Sequence, residues 1–172
     1  MARTTVMRAQ VDTANAMLDR IRIGMNAYDG DAAAYPLSLD LARLAGILRI
    51  HFSIADRSLY PFLIAFGSVD TAVLAQKFQR EICTLATRFE QFSRRWQSSS
   101  AIASNAILFR SEAAVMIMAI RRRLRRETRD LFPLADALAE LADDGGWQSG
   151  DRGLGSSRGF RAPPLLHRPV RR

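Results

Sequence analysis

The stretch HFSIADRSLYP at residues 51–61 recurs without gaps as RLRRETRDLFP at residues 123–133. Both copies end in leucine, an aromatic residue and proline, and both have a large polar residue ten places before that proline. The residue four places after this polar residue lies on the same helical face, because an α-helix repeats every 3.6 residues. The repeat therefore predicts a protein built from two related helical hairpins.

Apolar residues at intervals of three or four continue on both sides of the two copies, and no strand pattern competes with them. The predicted helices cover about residues 4–28, 36–61, 69–96 and 105–131, with a shorter fifth helix at 133–143. We expect Ser38 to cap the second helix, and Pro61 to end or kink it because proline lacks an amide hydrogen. Long helices joined by short breaks predict an all-α fold, an antiparallel up-down four-helix bundle with a short fifth helix.

The composition changes after residue 144. Residues 145–172 contain six glycines, three prolines and six arginines against one aspartate, so they carry +5 of the total charge of +8. A segment of this kind buries too little apolar surface to offset its conformational entropy. We therefore predict a bundle domain at 1–144 and a disordered Gly/Pro/Arg-rich tail at 145–172.

No segment of the sequence has the character of a membrane span or a signal peptide. The longest apolar run, from Ala113 to Ile120, is far shorter than the roughly 20 residues that a span requires. Cys83 is the only cysteine, and we expect it to be a small core or boundary residue rather than a nucleophile. These features predict a cytoplasmic protein without a membrane partner.

The two copies resemble the paired metal-binding motifs of hemerythrin-like, or HHE cation-binding, domains. Residues 51–61 are similar to the pattern His-Phe-x-x-Glu-Asp-x-x-Leu-Tyr-Pro, and residues 123–133 to His-Ile-x-x-Glu-Glu-x-x-Leu-Phe-Pro. Residues 78–96 also resemble the third helix of some bacterial members, and the whole resemblance covers about residues 5–138. It implies a di-iron site inside the bundle, where histidine and glutamate one turn apart present both ligand types to one point.

The ligand positions of the two motifs are only half retained. The first copy keeps His51 but has Ala55 in place of the carboxylate, and the second keeps Glu127 but has Arg123 in place of the histidine. The other two long helices contain no histidine. The residues nearest to the missing ligands there are Gln10 and Asp12 on the first helix, and Gln79 and Glu81 on the third.

Two hypotheses for these remnant ligands follow. His51, Glu127 and Glu81 could form one weak metal site, which would take iron if it takes any metal. Alternatively, Arg123 has replaced the positive charge of the metal, because a glutamate on an inward face is costly to bury unless it is paired. The few remaining ligands favour the second hypothesis, and we expect no cofactor.

Six arginines between residues 121 and 129 could suggest a phosphate-binding helix. They wrap around the helix, acidic residues dilute them, and no aromatic residues are interleaved for base stacking. We therefore predict a solvated face, and nucleic acid is not the expected partner.

The sequence contains no glycine-rich phosphate loop and no nucleophile–base set, so it does not favour an enzyme. It predicts a non-enzymatic regulatory or interaction module with an unidentified protein partner. The alternative is a hemerythrin-like iron protein that senses oxygen or redox state. The sequence does not predict the oligomeric state.

Overall fold

The computed structural model describes residues 3–144, and every regular element among them is helical. The helices are α1 (Thr5–Asn26), α2 (Asp31–Ile54), α3 (Tyr60–Phe66), α4 (Val69–Arg95), α5 (Ser99–Ser104), α6 (Ala106–Asp130) and α7 (Phe132–Asp144). A π-helical turn (Ala55–Leu59) joins α2 to α3 without a break. The predicted all-helical class is confirmed, and the predicted tail at 145–172 lies outside the described residues. None of the described helices is both long and apolar enough to cross a membrane.

The long helices contact one another in a closed cycle. Along α1 and α2, Gln10 contacts His51 and Arg20 contacts Asp40, so these two helices run in opposite directions. The rod formed by α2 and α3 contacts α4, α4 contacts α6, and α6 contacts α1. Large aromatic side chains from four helices fill the interior and are fully buried; they are Tyr60, Phe78, Phe109 and Phe132.

In both copies of the repeat, a new helix begins at the aromatic residue. Helix α3 starts at Tyr60 and α7 at Phe132, and a proline is the second residue of each. Proline has no amide hydrogen to donate, and in α3 it follows the π-helical turn, in which the Tyr60 amide donates to the carbonyl of Ala55. The expected distortion near Pro61 is the π-helical turn before it, and the helix continues beyond the proline to Phe66.

The second helix begins earlier than predicted, and Ser38 is not its cap. Helix α2 starts at Asp31, after Gly30 with a φ of 150°, a conformation that only glycine adopts readily. Three alanines, the residue with the highest helix propensity, follow, and the helix continues through Pro36. The Ser38 hydroxyl instead donates a hydrogen bond to the carbonyl of Tyr35, at 2.8 Å.

The serine run after α4 contains a helix start as well as a break. Ser98 accepts a hydrogen bond from the Ala101 amide at 3.2 Å and so caps α5, which places Ile102 in the core. The sequence predicted only a break between the helices at 69–96 and 105–131, because serine favours both caps and loops.

Cys83 is exposed, so its prediction as a core or boundary residue is wrong. Its neighbour Ile82 takes the inward position of α4. Successive residues of a helix are about 100° apart, so Cys83 faces solvent.

Asp136 on α7 binds the first residues of α1. One carboxylate oxygen accepts a hydrogen bond from the Thr4 amide at 2.9 Å. The other accepts from the Thr4 hydroxyl at 2.8 Å and from Arg8 at 2.9 Å. A negative charge is favourable here, because the free amides at a helix N-terminus carry partial positive charge. Helix α7 thereby fixes the start of α1.

Replacing Asp136 with alanine should lower the free energy of unfolding by about 2–3 kcal/mol, since Thr4 is buried and would lose its acceptor. Burial would raise the pKa of Asp136, but the hydrogen bonds from Arg8 and Thr4 hold it below its usual range. This contribution is therefore present above pH 3.8 and is lost as the pH falls through the lower folded-state pKa. Chemical denaturation at neutral pH and at a pH below the folded-state pKa of Asp136 measures this contribution. The exposed Asp12→Ala is the control, and equal losses in the two variants would contradict the interpretation.

Candidate functional site

Four polar side chains meet in the interior of the protein. We call His51, Tyr60, Arg123 and Glu127 the central network. His51 lies in the last turn of α2, Tyr60 begins α3, and Arg123 and Glu127 lie one turn apart on α6. The four are 0–4% exposed. His51 and Tyr60 belong to the first copy of the repeat, and Arg123 and Glu127 belong to the second. Each copy therefore contributes two residues to one buried cluster.

The carboxylate of Glu127 is the centre of the network. Its Oε1 accepts a hydrogen bond from the Tyr60 hydroxyl at 2.7 Å, and the Arg123 guanidinium lies 3.5 Å from the same oxygen. The other oxygen, Oε2, lies 3.1 Å from Nε2 of His51. The second ring nitrogen of His51 lies 3.3 Å from the side-chain oxygen of Gln10 on α1. Both carboxylate oxygens therefore have partners within the protein.

Arg123 connects the network to α4. It donates one hydrogen bond to the Tyr60 hydroxyl and another to Glu81 at 3.4 Å. Its guanidinium also lies over the ring of Phe78, 4.3 Å from the ring centre, where an aromatic face attracts a cation. Glu81 is only partly buried and accepts a second hydrogen bond from Arg126 at 2.8 Å. Glu81 therefore connects the buried guanidinium of Arg123 to the partly exposed guanidinium of Arg126.

The network favours an ionised Glu127. Burial alone would raise the pKa of Glu127, but the hydrogen bond from His51, the charge of Arg123 and the hydrogen bond from Tyr60 hold it below its usual range. Burial and the neighbouring negative charge of Glu127 raise the pKa of Tyr60. At neutral pH, Tyr60 is therefore a neutral donor between a carboxylate and a guanidinium.

The structure brings some of the predicted site residues together and separates others. His51 and Glu127 are in contact, and Gln10 is beside them, as its position near a missing ligand suggested. Glu81 pairs with Arg123 of the central network and with Arg126 outside it, and not with His51 or Glu127. Gln79 and Asp12 lie away from the centre, since Gln79 donates to Asp56 at the surface and Asp12 is exposed.

These residues do not fit a di-iron centre. Such a centre needs several imidazoles and carboxylates that bridge two metals. Within residues 3–144, no group of three or more histidine, cysteine, aspartate or glutamate side chains could hold a metal ion. The guanidinium of Arg123 lies beside Glu127, in the position where the resemblance implies a histidine.

Sequence reasoning missed the role of Tyr60. The Leu-aromatic-Pro motif predicted the repeat and a helix end, but it did not predict that the Tyr60 hydroxyl bridges Arg123 and Glu127. The sequence does contain a sign of this role, because the first copy has Tyr60 where the second has Phe132. A buried tyrosine usually has a hydrogen-bond partner, which a phenylalanine does not need.

The arginine run divides into different roles instead of forming one solvated face. Arg122 and Arg125 are exposed as predicted, whereas Arg123 is buried. Three others pair with carboxylates; these pairs are Arg121 with Asp19, Arg126 with Glu81, and Arg129 with Asp130.

The chain matches no protein-family model, no curated protein and no solved structure.

Proposed function

We propose that the chain is a hemerythrin-like helical domain whose metal centre is replaced by the central network, and that it acts as a non-enzymatic regulatory or interaction module. In this proposal, α1, the α2–α3 rod, α4 and α6 form an antiparallel four-helix bundle, with α7 as the short fifth helix. The closed cycle of contacts among these four segments supports this arrangement.

The position of the Arg123 guanidinium carries the proposal. It supplies a positive charge beside Glu127, at the sequence position where the resemblance implies a second histidine ligand. The carboxylate oxygens of Glu127 and the ring nitrogens of His51, which could bind a metal, are instead within hydrogen-bond distance of Tyr60, of each other and of Gln10. With the guanidinium beside it, Glu127 can stay ionised inside the protein without a metal.

The burial of the network supports a non-enzymatic role. His51 is 1% exposed and Glu127 is 0% exposed. A catalytic acid, base or nucleophile must come within hydrogen-bond reach of its substrate. Groups that are enclosed and paired in this way stabilise the fold, so any binding function is expected on the surface.

We expect protein purified without chelators to contain no di-iron centre. Inductively coupled plasma mass spectrometry gives the metal content per chain, and the ultraviolet–visible spectrum reports an oxo-bridged iron pair. Two irons per chain with an oxo-bridge absorption band would contradict the proposal and support the iron-based oxygen or redox sensor.

The His51→Ala variant distinguishes a weak remnant site from adventitious metal. One zinc or iron per chain that disappears in this variant would place a metal at the central network and would also contradict replacement by Arg123. Metal that persists in the variant lies elsewhere and leaves the proposal standing.

A further inference from the structure

A cavity of about 460 Å³ opens between α2 and α4, apart from the central network. Its apolar walls are formed by Ala42, Ala45 and Phe52 of α2 and by Ala86 and Phe89 of α4. Cavities of about 300–1,000 Å³ between the helices of a bundle are common sites for small molecules. We call this cavity the α2–α4 slot.

Small side chains keep the slot open. Ala42 and Ala45 on α2 and Ala86 on α4 line it, and none of them reaches far enough to fill the space between the helices. The slot is open to solvent, since Ala42 is exposed and Ala45 and Ala86 are only partly buried, and its apolar walls offer contact area to a ligand.

The rim of the slot carries an uncompensated positive charge. Arg49 is exposed and makes no ion pair with any residue that the structure describes. The other charged rim residues, Glu90 and Arg94, neutralise each other at 2.6 Å. The side chains of Ser93 and Gln97 also line the rim and form no hydrogen bond within the described part of the chain. The rim therefore offers one cation and two neutral polar groups to a ligand.

We propose that the α2–α4 slot binds a small monocarboxylate with an apolar body. The apolar part would contact Phe52 and Phe89, and the carboxylate would pair with Arg49 and accept hydrogen bonds from Ser93 and Gln97. A guanidinium binds a carboxylate through two parallel N–H donors, which makes this pairing directional. This site is independent of the function proposed for the central network.

Three ten-carbon probes that differ in their head group test the proposal by isothermal titration calorimetry. They are decanoate, 1-decanol and decyltrimethylammonium, each kept below its aggregation concentration. We expect saturable binding of one decanoate per chain, weaker binding of the alcohol and the weakest binding of the cation. Equal binding of all three would overturn the proposal, because it would indicate adsorption to apolar surface.

Two variants locate the site. Arg49→Gln should weaken decanoate binding about tenfold and leave decanol unchanged, since one charge-assisted interaction is lost. Ala86→Leu should abolish the binding of both by filling the slot. The controls are Arg88→Gln, an exposed arginine on α4, and Ala114→Leu, an exposed alanine on α6; both should bind decanoate normally.

Unchanged decanoate binding in Ala86→Leu would overturn the proposal. Ala45→Leu fills the slot from the opposite wall and serves if Ala86→Leu fails to fold. Sedimentation of the unmodified protein and of Ala86→Leu identifies the other possible occupant. A dimer that Ala86→Leu dissociates, without decanoate binding, would mean that a second copy of the chain occupies the slot.

Discussion

Replacing Arg123 with alanine is expected to lower the free energy of unfolding by about 3–5 kcal/mol, measured by chemical denaturation. The substitution leaves the carboxyl group of Glu127 fully buried without the guanidinium that compensates its charge. It also removes a donor to Tyr60 and the contact with the ring of Phe78. The loss exceeds that of an ordinary surface ion pair, because a buried charge without compensation cannot regain its hydration.

Two neighbouring arginines are the controls. Arg122→Ala alters an exposed residue and should change the stability by no more than about 0.5 kcal/mol. Arg126→Ala removes a partly exposed pair with Glu81 and should cost about 0–1 kcal/mol. Equal, small losses for all three variants would show that Arg123 does not compensate a buried charge.

Glu127→Ala is expected to lower the free energy of unfolding by a similar amount, about 3–5 kcal/mol. It leaves the guanidinium of Arg123 buried and removes the acceptor of both Tyr60 and His51. Glu140→Ala, an exposed glutamate on α7, is the matched control and should have little effect. A loss at Glu127 no larger than that at Glu140 would mean that the buried network does not hold the helices together.

The pKa of Glu127 determines how this contribution depends on pH. Because its pKa is lowered by folding, the contribution is complete above pH 4.5 and is lost as the pH falls through the folded-state value. Below that range, the stabilities of the native protein and of Glu127→Ala should converge. A difference that stays constant down to the acid transition would point to packing instead of charge.

The sequence predicted the features that depend on residues close together in the chain. The spacing of four between Arg123 and Glu127 placed both on one helical face, and that face is buried. The apolar spacing that predicted a third helix at residues 69–96 likewise agrees with α4 (Val69–Arg95). Such features follow from the period of the helix alone.

The remaining features depend on contacts between distant parts of the chain. Thr4 and Asp136 are 132 residues apart, and the Tyr60 hydroxyl is 67 residues from the carboxylate that it binds. The α2–α4 slot likewise depends on which alanines face each other across two helices. A single sequence carries no direct signal for these pairings, because many helix packings satisfy the same apolar periodicity.

A double-mutant cycle on Arg123 and Glu127 tests most directly whether the guanidinium and the carboxylate form one charge-compensated unit in place of a metal. The four measurements are the free energies of unfolding of the unmodified protein, Arg123→Ala, Glu127→Ala and the variant with both changes. We expect the double variant to lose about 1–3 kcal/mol less than the sum of the single losses, because it leaves no unpaired charge inside. Losses that add to within about 0.5 kcal/mol would contradict the account, since each residue would then stabilise the fold without the other.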